Sequence, residues 1–530
     1  MSEPLGLVIK TDGTTALCRL DRARLLGSRD AATGTELAAN SVGGLVKIRV
    51  GDRLLIAIIC ELCEAPGDAA AIQAEVEYLG EGGVTPAGSL SDFRRGVDVF
   101  PMPGDSVDLA EDADYDTIYA PPEQPHVMLG VVHPTVDVRA PILFENLLGR
   151  HFAIVGSTGT GKSTLVSLLL NRIIENAAHA HVIVLDPHGE YATAFGERAQ
   201  LWNVDNLKLP YWAMNLAEHC EAFVPGVGSE AVIDRNIMAN CLQRARARNV
   251  RLSDAARITA DNPVPYQLSD LTDAINEEAG RLEKQADSSR FTQLRLAIER
   301  RFGDPRFGFI FNQEFFGLSL EEFLGDLLRI PGHGKPVSII DLAGVPTEVV
   351  NLIVATLSRL VLDYAIRTPR DERAPMLLVC EEAHRYLPRD SSMATAAVQR
   401  QLERIAREGR KYGVCLGLVS QRPSELSGTA LSQCGTVLAL RLNNVEDQVQ
   451  LKAGLSEGAR SLVEVVASLR NRECIAAGDG VPTPMRIKID TIDAAHQPDS
   501  SDESFAEKWQ NQTARPESLA ETVRRWREGA

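Results

Sequence analysis

Residues 152–163 read Phe-Ala-Ile-Val-Gly-Ser-Thr-Gly-Thr-Gly-Lys-Ser, and this stretch decides the fold. The four apolar residues 152–155 predict a buried strand, and the apolar segment 162–174 predicts a helix. Between them, residues 156–163 satisfy the pattern G-x-x-x-x-G-K-[ST], which binds phosphate when it joins a strand to a helix. Glycines let the backbone approach the phosphates closely, and N–H groups at the helix N-terminus hold the phosphate oxygens. A chance glycine turn is the alternative, and the correctly placed strand and helix disfavour it.

The loop supplies the predicted cofactor contacts. Lys162 is expected to reach the β- and γ-phosphates, and the hydroxyl of Ser163 is expected to bind Mg²⁺. The sequence therefore predicts ATP and Mg²⁺ as cofactors, with nucleotide contacts from Gly156, Ser157, Thr158, Gly159, Thr160, Gly161, Lys162, Ser163 and Thr164.

A second apolar strand, 376–380, ends in two carboxylates, Glu381 and Glu382. ATP hydrolysis needs one acid near the Mg²⁺ shell and another that positions or deprotonates the attacking water. We predict Glu381 for the first role and Glu382 for the second. An acidic strand end is often only a solvated edge, but its position downstream of the glycine loop favours the catalytic interpretation.

Three further polar residues are candidates for the same reaction. Gln421 follows the apolar segment 414–419 and is predicted to sense the γ-phosphate or orient water, although a simple turn before Pro423 competes with this interpretation. Arg410 lies in a basic helix end, which suits the helix dipole equally well as it suits an arginine finger reaching a neighbouring subunit. Arg150, just before the first core strand, is equally ambiguous.

The pattern of strand-like, helical and polar segments along the chain predicts three domains. Residues 1–140 contain short strands separated by turns, which favour a small β-barrel or sandwich without helices, followed by a proline-rich linker at 120–125. Residues 141–490 alternate strands and helices and predict an α/β core with a parallel sheet, interrupted at about 215–335 by a helical insertion. Residues 491–530 form a polar tail of short helices whose apolar residues suggest docking onto a partner: Phe505, Trp509, Leu519, Val523 and Trp526.

Composition narrows the class of protein. The 530 residues carry a net charge of −17, which argues against indiscriminate binding of nucleic acid but allows a confined basic surface. The nine cysteines are scattered, which indicates reduced thiols in a cytoplasmic protein. The pair Cys60 and Cys63 is interpreted as core residues of a strand rather than as a zinc or redox site. We expect no signal peptide and no apolar run long enough for a membrane span.

In its motifs the chain resembles the HerA family, of the HerA/FtsK branch of P-loop motor ATPases and of the bacterial type. The resemblance covers most of the chain and rests on residues 150–163 together with Asp186-Pro-His-Gly-Glu-Tyr191, Glu381-Glu-Ala-His384, Glu408-Gly-Arg-Lys-Tyr-Gly413 and Ser420-Gln-Arg-Pro423. It implies a RecA-like P-loop core, an N-terminal strand region similar to the HAS-barrel, the family's helical insertion and its C-terminal brace.

The same resemblance implies a homohexameric ring that encircles double-stranded DNA and translocates along it or unwinds it. It also implies a partner: a NurA-like nuclease in DNA end processing, or a nuclease or sirtuin-like effector in anti-phage defence. By motif, Arg410 becomes the finger acting in the neighbouring subunit, Arg150 a second arginine near the nucleotide, and Gln421 the sensor. Glu381 departs from the aspartate common at its position, and the acidic net charge implies few DNA contacts, confined to the pore. Arg385, Arg389 and Arg400 are candidates for pore or interface contacts, with a solvated loop as an equally good alternative.

Two other functions remain open at this point. The chain would alternatively be an ATP-dependent hexameric scaffold that assembles and activates an effector enzyme without processive translocation, which the aromatic tail and acidic surface favour. A conjugation or secretion ATPase of the same superfamily is a further alternative, weakened by the expected lack of a membrane anchor. The partner, the direction of translocation and the choice between repair and defence are not predicted.

Overall fold

The structure is a computed structural model, and it describes residues 3–25, 41–224, 229–250, 257–280, 285–390, 392, 395–455, 463–499, 509–510 and 516–528. The chain divides into two compact units. The first comprises Met1–Ala180, Leu377–Asp390 and Ile405–Gln497, and the second comprises His181–Met376, Ser391–Arg404 and Pro498–Ala530.

The first unit begins with a closed β-barrel. Its strands are β1 (Gly6–Thr11), β2 (Thr15–Asp21), β3 (Leu45–Val50), β4 (Arg53–Glu64), β5 (Ala71–Val84), β6 (Leu90–Arg95) and β7 (Ser106–Leu109). The order β2-β1-β7-β3-β4-β5 closes because β2 also pairs with β5, while β6 extends from β5. Inward side chains such as Cys18, Ile48 and Val76 form an apolar core. The predicted N-terminal barrel is therefore confirmed.

One element of this region was not predicted. The helix α1 (Asp112–Ile118) follows β7, although the sequence suggested strands and turns alone. Asp114 in this helix is fully buried, and its Oδ2 accepts a hydrogen bond from Nζ of Lys47 on β3 at 2.9 Å. A helix of seven residues leaves little periodic signal, although it buries Tyr115 and Ile118 beside the charged contact of Asp114.

A larger sheet completes the first unit. Its strands are β8 (His126–Val132), β9 (Arg139–Leu143), β10 (Phe152–Val155), β14 (Met376–Cys380), β15 (Val414–Ser420), β16 (Thr436–Ala439), β17 (Glu473–Gly478) and β18 (Met485–Ile489). The order is β14-β15-β10-β16-β17-β18-β8-β9. β10 pairs in parallel with β15 and β16, which confirms the predicted α/β core with a P-loop strand at its centre.

The expectation of a purely parallel sheet was wrong. β16, β17, β18, β8 and β9 are joined by antiparallel pairs. The short connections between β17 and β18 and between β8 and β9 permit only antiparallel pairing, because a parallel pair needs a longer crossover. The predicted domain boundaries at residues 140 and 490 stay a prediction, and β8 and β9 lie in the sheet that also contains β10.

The helices of the first unit surround the nucleotide loop. α2 (Phe144–Gly149) precedes β10, and α3 (Lys162–Asn176) follows it. α3 buries an apolar face that includes Leu165, Leu169 and Ile173, which fixes its N-terminus beside the end of β10. The connections after β15 and β16 contain α12 (Gly428–Ser432) and α13 (Val445–Gly454).

The second unit has a small parallel sheet and a run of helices. Its strands are β11 (Val182–Asp186), β12 (Ala199–Trp202) and β13 (Val337–Asp341), with β13 between the other two. Its helices are α4 (Ala192–Phe195), α5 (Leu216–Phe223), α6 (Ser229–Ala247), α7 (Leu268–Ala279), α8 (Gln285–Phe302), α9 (Leu320–Leu328) and α10 (Thr347–Arg367). α5 to α9 fall within the stretch predicted as a helical insertion.

α10 corrects the expectation about apolar runs. In the part of the chain that the structure describes, this one helix is long and apolar enough to cross a membrane by length and composition. However, 83% of its most apolar window is buried inside the protein. Its Arg359 also forms a buried ion pair with Glu218 of α5 at 2.7 Å. α10 is therefore built as a core helix of the second unit.

The remaining helices of the described residues are α11 (Ala396–Glu408) and, in the tail, α14 (Pro516–Glu528). Trp509, Leu519 and Trp526 are exposed, and Val523 is half-buried. Phe505, predicted to share this apolar pattern, lies outside the described residues.

The cysteines match the prediction except at the close pair. Seven of the nine are buried, and all nine are free thiols. Cys60 is half-buried and Cys63 is exposed, both at the end of β4 where that strand leaves the barrel core. Their interpretation as core residues was therefore wrong.

Candidate nucleotide-binding site

The glycine loop between β10 and α3 has the backbone that phosphate binding requires. Gly159 and Gly161 have φ angles of 74° and 98°, in the left-handed region that residues with a Cβ rarely adopt. Gly161 caps the N-terminus of α3, and its carbonyl accepts the N–H of Leu165 at 2.9 Å. The loop therefore turns directly into the helix and presents its first N–H groups to an anion.

Neighbouring strand ends hold the loop in place. Gly156 N donates to Ser420 O at 3.2 Å, and Ser157 N donates to Arg441 O at 2.9 Å. Within the loop, the Thr160 hydroxyl donates to Ser157 O at 2.7 Å. These contacts tie the loop to the ends of β15 and β16, so its shape is preformed.

Lys162 and Glu381 are brought together as predicted for a shared site. Both side chains are buried, and Nζ of Lys162 lies 3.8 Å from Oε1 of Glu381. Ser163 follows Lys162 in the first turn of α3. A hydroxyl and a carboxylate are the oxygen ligands that Mg²⁺ prefers, so these two residues fit the predicted metal. No group of three or more His, Cys, Asp or Glu side chains suited to a metal occurs among the described residues. The remaining Mg²⁺ ligands would therefore come from phosphate and water.

Glu382 occupies an unusual environment. It is buried, and its φ of 50° places a non-glycine residue in the left-handed region. Its Oε2 is buried and accepts no hydrogen bond from any described residue. The nearest cationic or potentially cationic atom is Nδ1 of His384, at 3.2 Å. A buried carboxylate oxygen with spare acceptor capacity is the arrangement expected for a group that takes a proton from water.

Gln421 also reaches the loop. The hydroxyl of Thr158 donates to Oε1 of Gln421 at 2.5 Å. Both residues line a cavity of about 850 Å³, whose other lining residues are Ser157, Pro388, Arg389, Asp390, Arg422, Ser424, Glu425, Asn444, Glu446 and Asp447. The cavity lies within the first unit and is large enough for a nucleotide. The structure thus brings the predicted sensor to the phosphate loop, while its chemical role stays a prediction.

The two candidate arginines differ in their partners. Arg150, at the C-terminus of α2, pairs with Asp479 and is about half exposed. Arg410 lies in a short 3-10 turn, Gly409–Tyr412, and its side chain is exposed. Arg410 forms no side-chain hydrogen bond or ion pair with the residues that the structure describes. Only Arg410 is therefore free to reach another molecule without breaking a contact.

Sequence reasoning gave no role to His151, which is structural. Its Nδ1 accepts the N–H of Leu416 at 2.9 Å, and its Nε2 lies 3.1 Å from Ala406 O, so Nε2 carries the proton. Burial lowers the pKa of His151 and keeps the ring neutral. The residue ties the start of β10 to β15 and to the end of α11.

Two further residues of this site were missed. His384 stood in a quoted motif without a role, and its Nδ1 lies between Glu382 and the hydroxyl of Ser420. Arg472 has an exposed side chain, and its N–H donates to Thr160 O at 3.3 Å. The sequence signal available for His384 was its position three residues after Glu381, the first of the two adjacent acids. Nothing in the sequence spacing pointed to Arg472.

The turn after β11, in the second unit, has a structural explanation. Asp186 is fully buried and accepts the N–H groups of His188, Gly189 and Tyr191 at 3.2, 2.9 and 2.9 Å. Burial raises the pKa of this carboxyl, against these hydrogen bonds. The carboxylate of Asp186 therefore stabilises the turn that begins at this residue.

The preformed glycine loop, the buried Lys162 and the paired carboxylates on an α/β sheet define a P-loop ATPase. A family model described as "Helicase HerA, central domain" matches residues 127–361, which include the loop and the whole of α3. Over these residues the chain is similar to the HerA family.

Curated relatives agree with this assignment. A probable helicase of Methanocaldococcus jannaschii is 26% identical over 432 residues, covering 79% of this chain and 76% of the relative. The DNA double-strand break repair helicase HerA of Pyrococcus furiosus is 26% identical over 419 residues, covering 68% and 69%. Among solved structures, VirB4 of Thermoanaerobacter pseudethanolicus has a TM-score of 0.49 at 14% identity, covering 71% of this chain and 98% of that chain.

Proposed function

We propose that this ATPase is a motor that translocates on or unwinds double-stranded DNA as a ring of identical subunits, six by the family resemblance. The observation that carries the proposal is the Glu382 carboxylate, buried beside the Lys162–Glu381 pair with an oxygen that accepts no hydrogen bond from the described residues. Beside a phosphate-binding loop, such a group fits the hydrolysis of ATP, which a motor requires. Relatives named as DNA repair helicases support DNA as the track.

The residues divide the hydrolysis of ATP between them. The loop N–H groups and Lys162 bind and orient the phosphates, and Ser163 and Glu381 hold Mg²⁺. When held there, Mg²⁺ would supply positive charge that offsets the negative charge of the phosphates. Glu382 accepts a proton from the attacking water at its free Oε2, and Gln421 orients that water or contacts the γ-phosphate.

Arg410 supplies the argument for a shared site. An exposed cation with no side-chain partner among the described residues fits a finger that enters the nucleotide site of the neighbouring subunit. Arg150 would have to release Asp479 before it contacted a nucleotide. We therefore assign the finger to Arg410 and a secondary contact to Arg150.

DNA contacts are proposed to be few. The chain carries a net charge of −17, so a DNA-binding surface must be confined, as in the pore of a ring. Arg385, Arg389 and Arg400 are exposed and follow the strand that carries the paired acids. We propose a cytoplasmic protein, not bound to membrane, that works with a nuclease or a sirtuin-like or NurA-like effector. It would act in DNA end processing or in anti-phage defence.

A second function is favoured by one observation. Trp509, Leu519 and Trp526 are 81%, 67% and 82% exposed in a polar tail. Large exposed apolar side chains mark interaction sites, so the tail suits a scaffold that assembles and activates an effector in its ATP state.

The two functions separate in one experiment. ATP hydrolysis is measured with and without linear duplex DNA, followed by displacement of streptavidin from a biotinylated DNA end. The motor predicts stimulation by DNA and displacement, both lost in Glu382→Gln. Unstimulated hydrolysis without displacement, combined with effector activity that still needs this protein, would establish the scaffold instead.

A mixing experiment tests the shared site. Arg410→Ala alone is expected to bind ATP and to lose about 10³-fold or more in turnover. Mixing it with Glu382→Gln subunits should restore activity, because some interfaces then combine an intact Glu382 with an intact Arg410. Mixed rings that show no recovery would place Arg410 outside the neighbouring site.

A further inference from the structure

We propose that His384 is a positioning residue that holds the carboxylate of Glu382 and links its orientation to the end of β15. Nδ1 of His384 lies 3.2 Å from Oε2 of Glu382 and 3.2 Å from Oγ of Ser420. This inference rests on the proposed role of Glu382 as the group that accepts the water proton.

The local backbone explains how His384 comes to lie there. Glu382 has a left-handed φ of 50°, and the 3-10 turn Ala383–Arg385 follows at once. The N–H of Arg385 donates to the carbonyl of Glu382 at 2.9 Å and closes the turn. The chain thus folds back, so that side chains two residues apart meet, with 7% and 14% of the Glu382 and His384 side chains exposed.

Nδ1 of His384 lies within reach of two oxygens, Oε2 of Glu382 and Oγ of Ser420. Ser420 Oγ already accepts the N–H of Arg422 at 3.1 Å, and its own proton can be donated to Nδ1. When Nδ1 carries the ring proton, it can donate to Glu382 instead. Nδ1 cannot serve both oxygens fully at once. The carboxylate is therefore restrained by a single shared donor, and it keeps acceptor capacity for water.

In the structure Nδ1 is hydrogen-bonded to Ser420, and Oε2 of Glu382 accepts no hydrogen bond from the described residues. The restraint that we propose is the hydrogen bond that Nδ1 donates to Oε2 when it leaves Ser420, and it does not require a charged ring. Burial lowers the pKa of His384, although the nearby Glu382 opposes the shift. A neutral ring orients the carboxylate without forming a full ion pair, which would lower its affinity for a proton. A neutral side chain that places a donor where Nδ1 lies should therefore replace the histidine.

The same strand end touches the phosphate loop. Ser420 O accepts the N–H of Gly156 at 3.2 Å, and the adjacent Gln421 accepts the hydroxyl of Thr158 at 2.5 Å. His384 therefore connects Glu382 to the segment that contacts the loop at two points. A change in the loop on nucleotide binding has a direct route to the carboxylate.

The test uses the full chain and compares kcat with KM for ATP hydrolysis. His384→Leu should lower kcat by about 10- to 100-fold with KM within about threefold, since a misplaced group costs rate rather than binding. His384→Asn, whose amide lies near the Nδ1 position, should recover most of the loss, and His384→Gln, whose amide lies near the Nε2 position, should not. Ser420→Ala should be intermediate. His179→Leu, an exposed histidine after α3, is the control and should match the wild type.

The outcomes that contradict the role of Glu382 differ from those that contradict the role of His384. An active Glu382→Gln would remove the proposed role of Glu382 itself. An inactive Glu382→Gln together with a His384→Leu protein of wild-type kcat would overturn the positioning role alone. If the leucine variant does not fold, equal kcat values for His384→Asn and His384→Gln in proteins of wild-type melting temperature would overturn it as well.

Discussion

Two buried carboxylates, one in each unit, lie at the carboxyl ends of sheet strands and differ in what they bind. Asp186 accepts three backbone N–H groups from the turn that it begins. Glu382 follows β14 and has an oxygen that accepts no hydrogen bond from the described residues. A buried acid whose acceptors are filled stabilises its surroundings, whereas one with an empty acceptor destabilises the fold unless something else uses it. The comparison supports a structural role for Asp186 and the proposed catalytic role for Glu382.

Glu382→Gln should show the largest effect. The amide keeps the size of the side chain but cannot take a proton, so turnover should fall by about 10²- to 10⁴-fold while ATP still binds. Phosphate release and equilibrium nucleotide binding measure the two quantities separately. Glu61→Gln, an exposed glutamate on β4, is the matched control. Loss of nucleotide affinity in proportion to turnover would contradict the catalytic side of the comparison.

Asp186→Ala should act on stability instead. Three backbone donors lose their acceptor, at a cost of about 1 kcal/mol each, so the free energy of unfolding should fall by about 2–3 kcal/mol. Turnover per folded molecule, measured well below the melting temperature, should stay within a few-fold of the wild type. Denaturant unfolding and hydrolysis rates report the two effects. A variant that keeps normal stability but loses turnover would show that Asp186 contributes to hydrolysis rather than to stability.

Glu221 extends the comparison to an acid in α5. One of its oxygens is buried without a hydrogen-bond partner among the described residues, and burial, with the nearby Glu218, raises its pKa to about 7. The folded chain then holds a proton up to about pH 7 that the unfolded chain releases near its ordinary value of 4.5. Since the folded state binds the extra proton in this window, stability should fall as pH rises through it.

The matching experiment compares melting at pH 5 and pH 8. Glu221→Gln should remove the loss and be more stable than the wild type at pH 8, by on the order of 1–2 kcal/mol after allowing for solvent screening. At pH 5 the two proteins should melt alike. A wild type whose stability is flat between these values would show that the unpartnered oxygen of Glu221 carries no electrostatic cost.

The sequence predicted those parts of the site that lie within one continuous motif. The glycine loop, Lys162 and the paired acids could be proposed from sequence because their chemistry fixes both residue types and spacing. The contact of His384 with Ser420 was not found, because 36 residues separate them and only the folded sheet brings β14 and β15 side by side.

The fold shows the same limit. The barrel and the parallel strands were predicted from alternation and from apolar runs. β17 reads Glu-Cys-Ile-Ala-Ala-Gly and is buried along nearly its whole length, so it has no alternation to read. The antiparallel edge was missed for this reason, and the sequence predicted a parallel sheet.

The antiparallel edge of the sheet limits where a shortened form of the chain can begin. β18 near residue 489 pairs with β8 near residue 130, so the last strand of the ATPase sheet is covered by a strand that precedes the glycine loop. Asp490 strengthens this closure by binding both Arg139 and Arg172. A fragment begun at residue 141 would strip β8 from the sheet and leave β18 as a bare edge open to pairing with other chains. An isolated motor domain should therefore begin before residue 126.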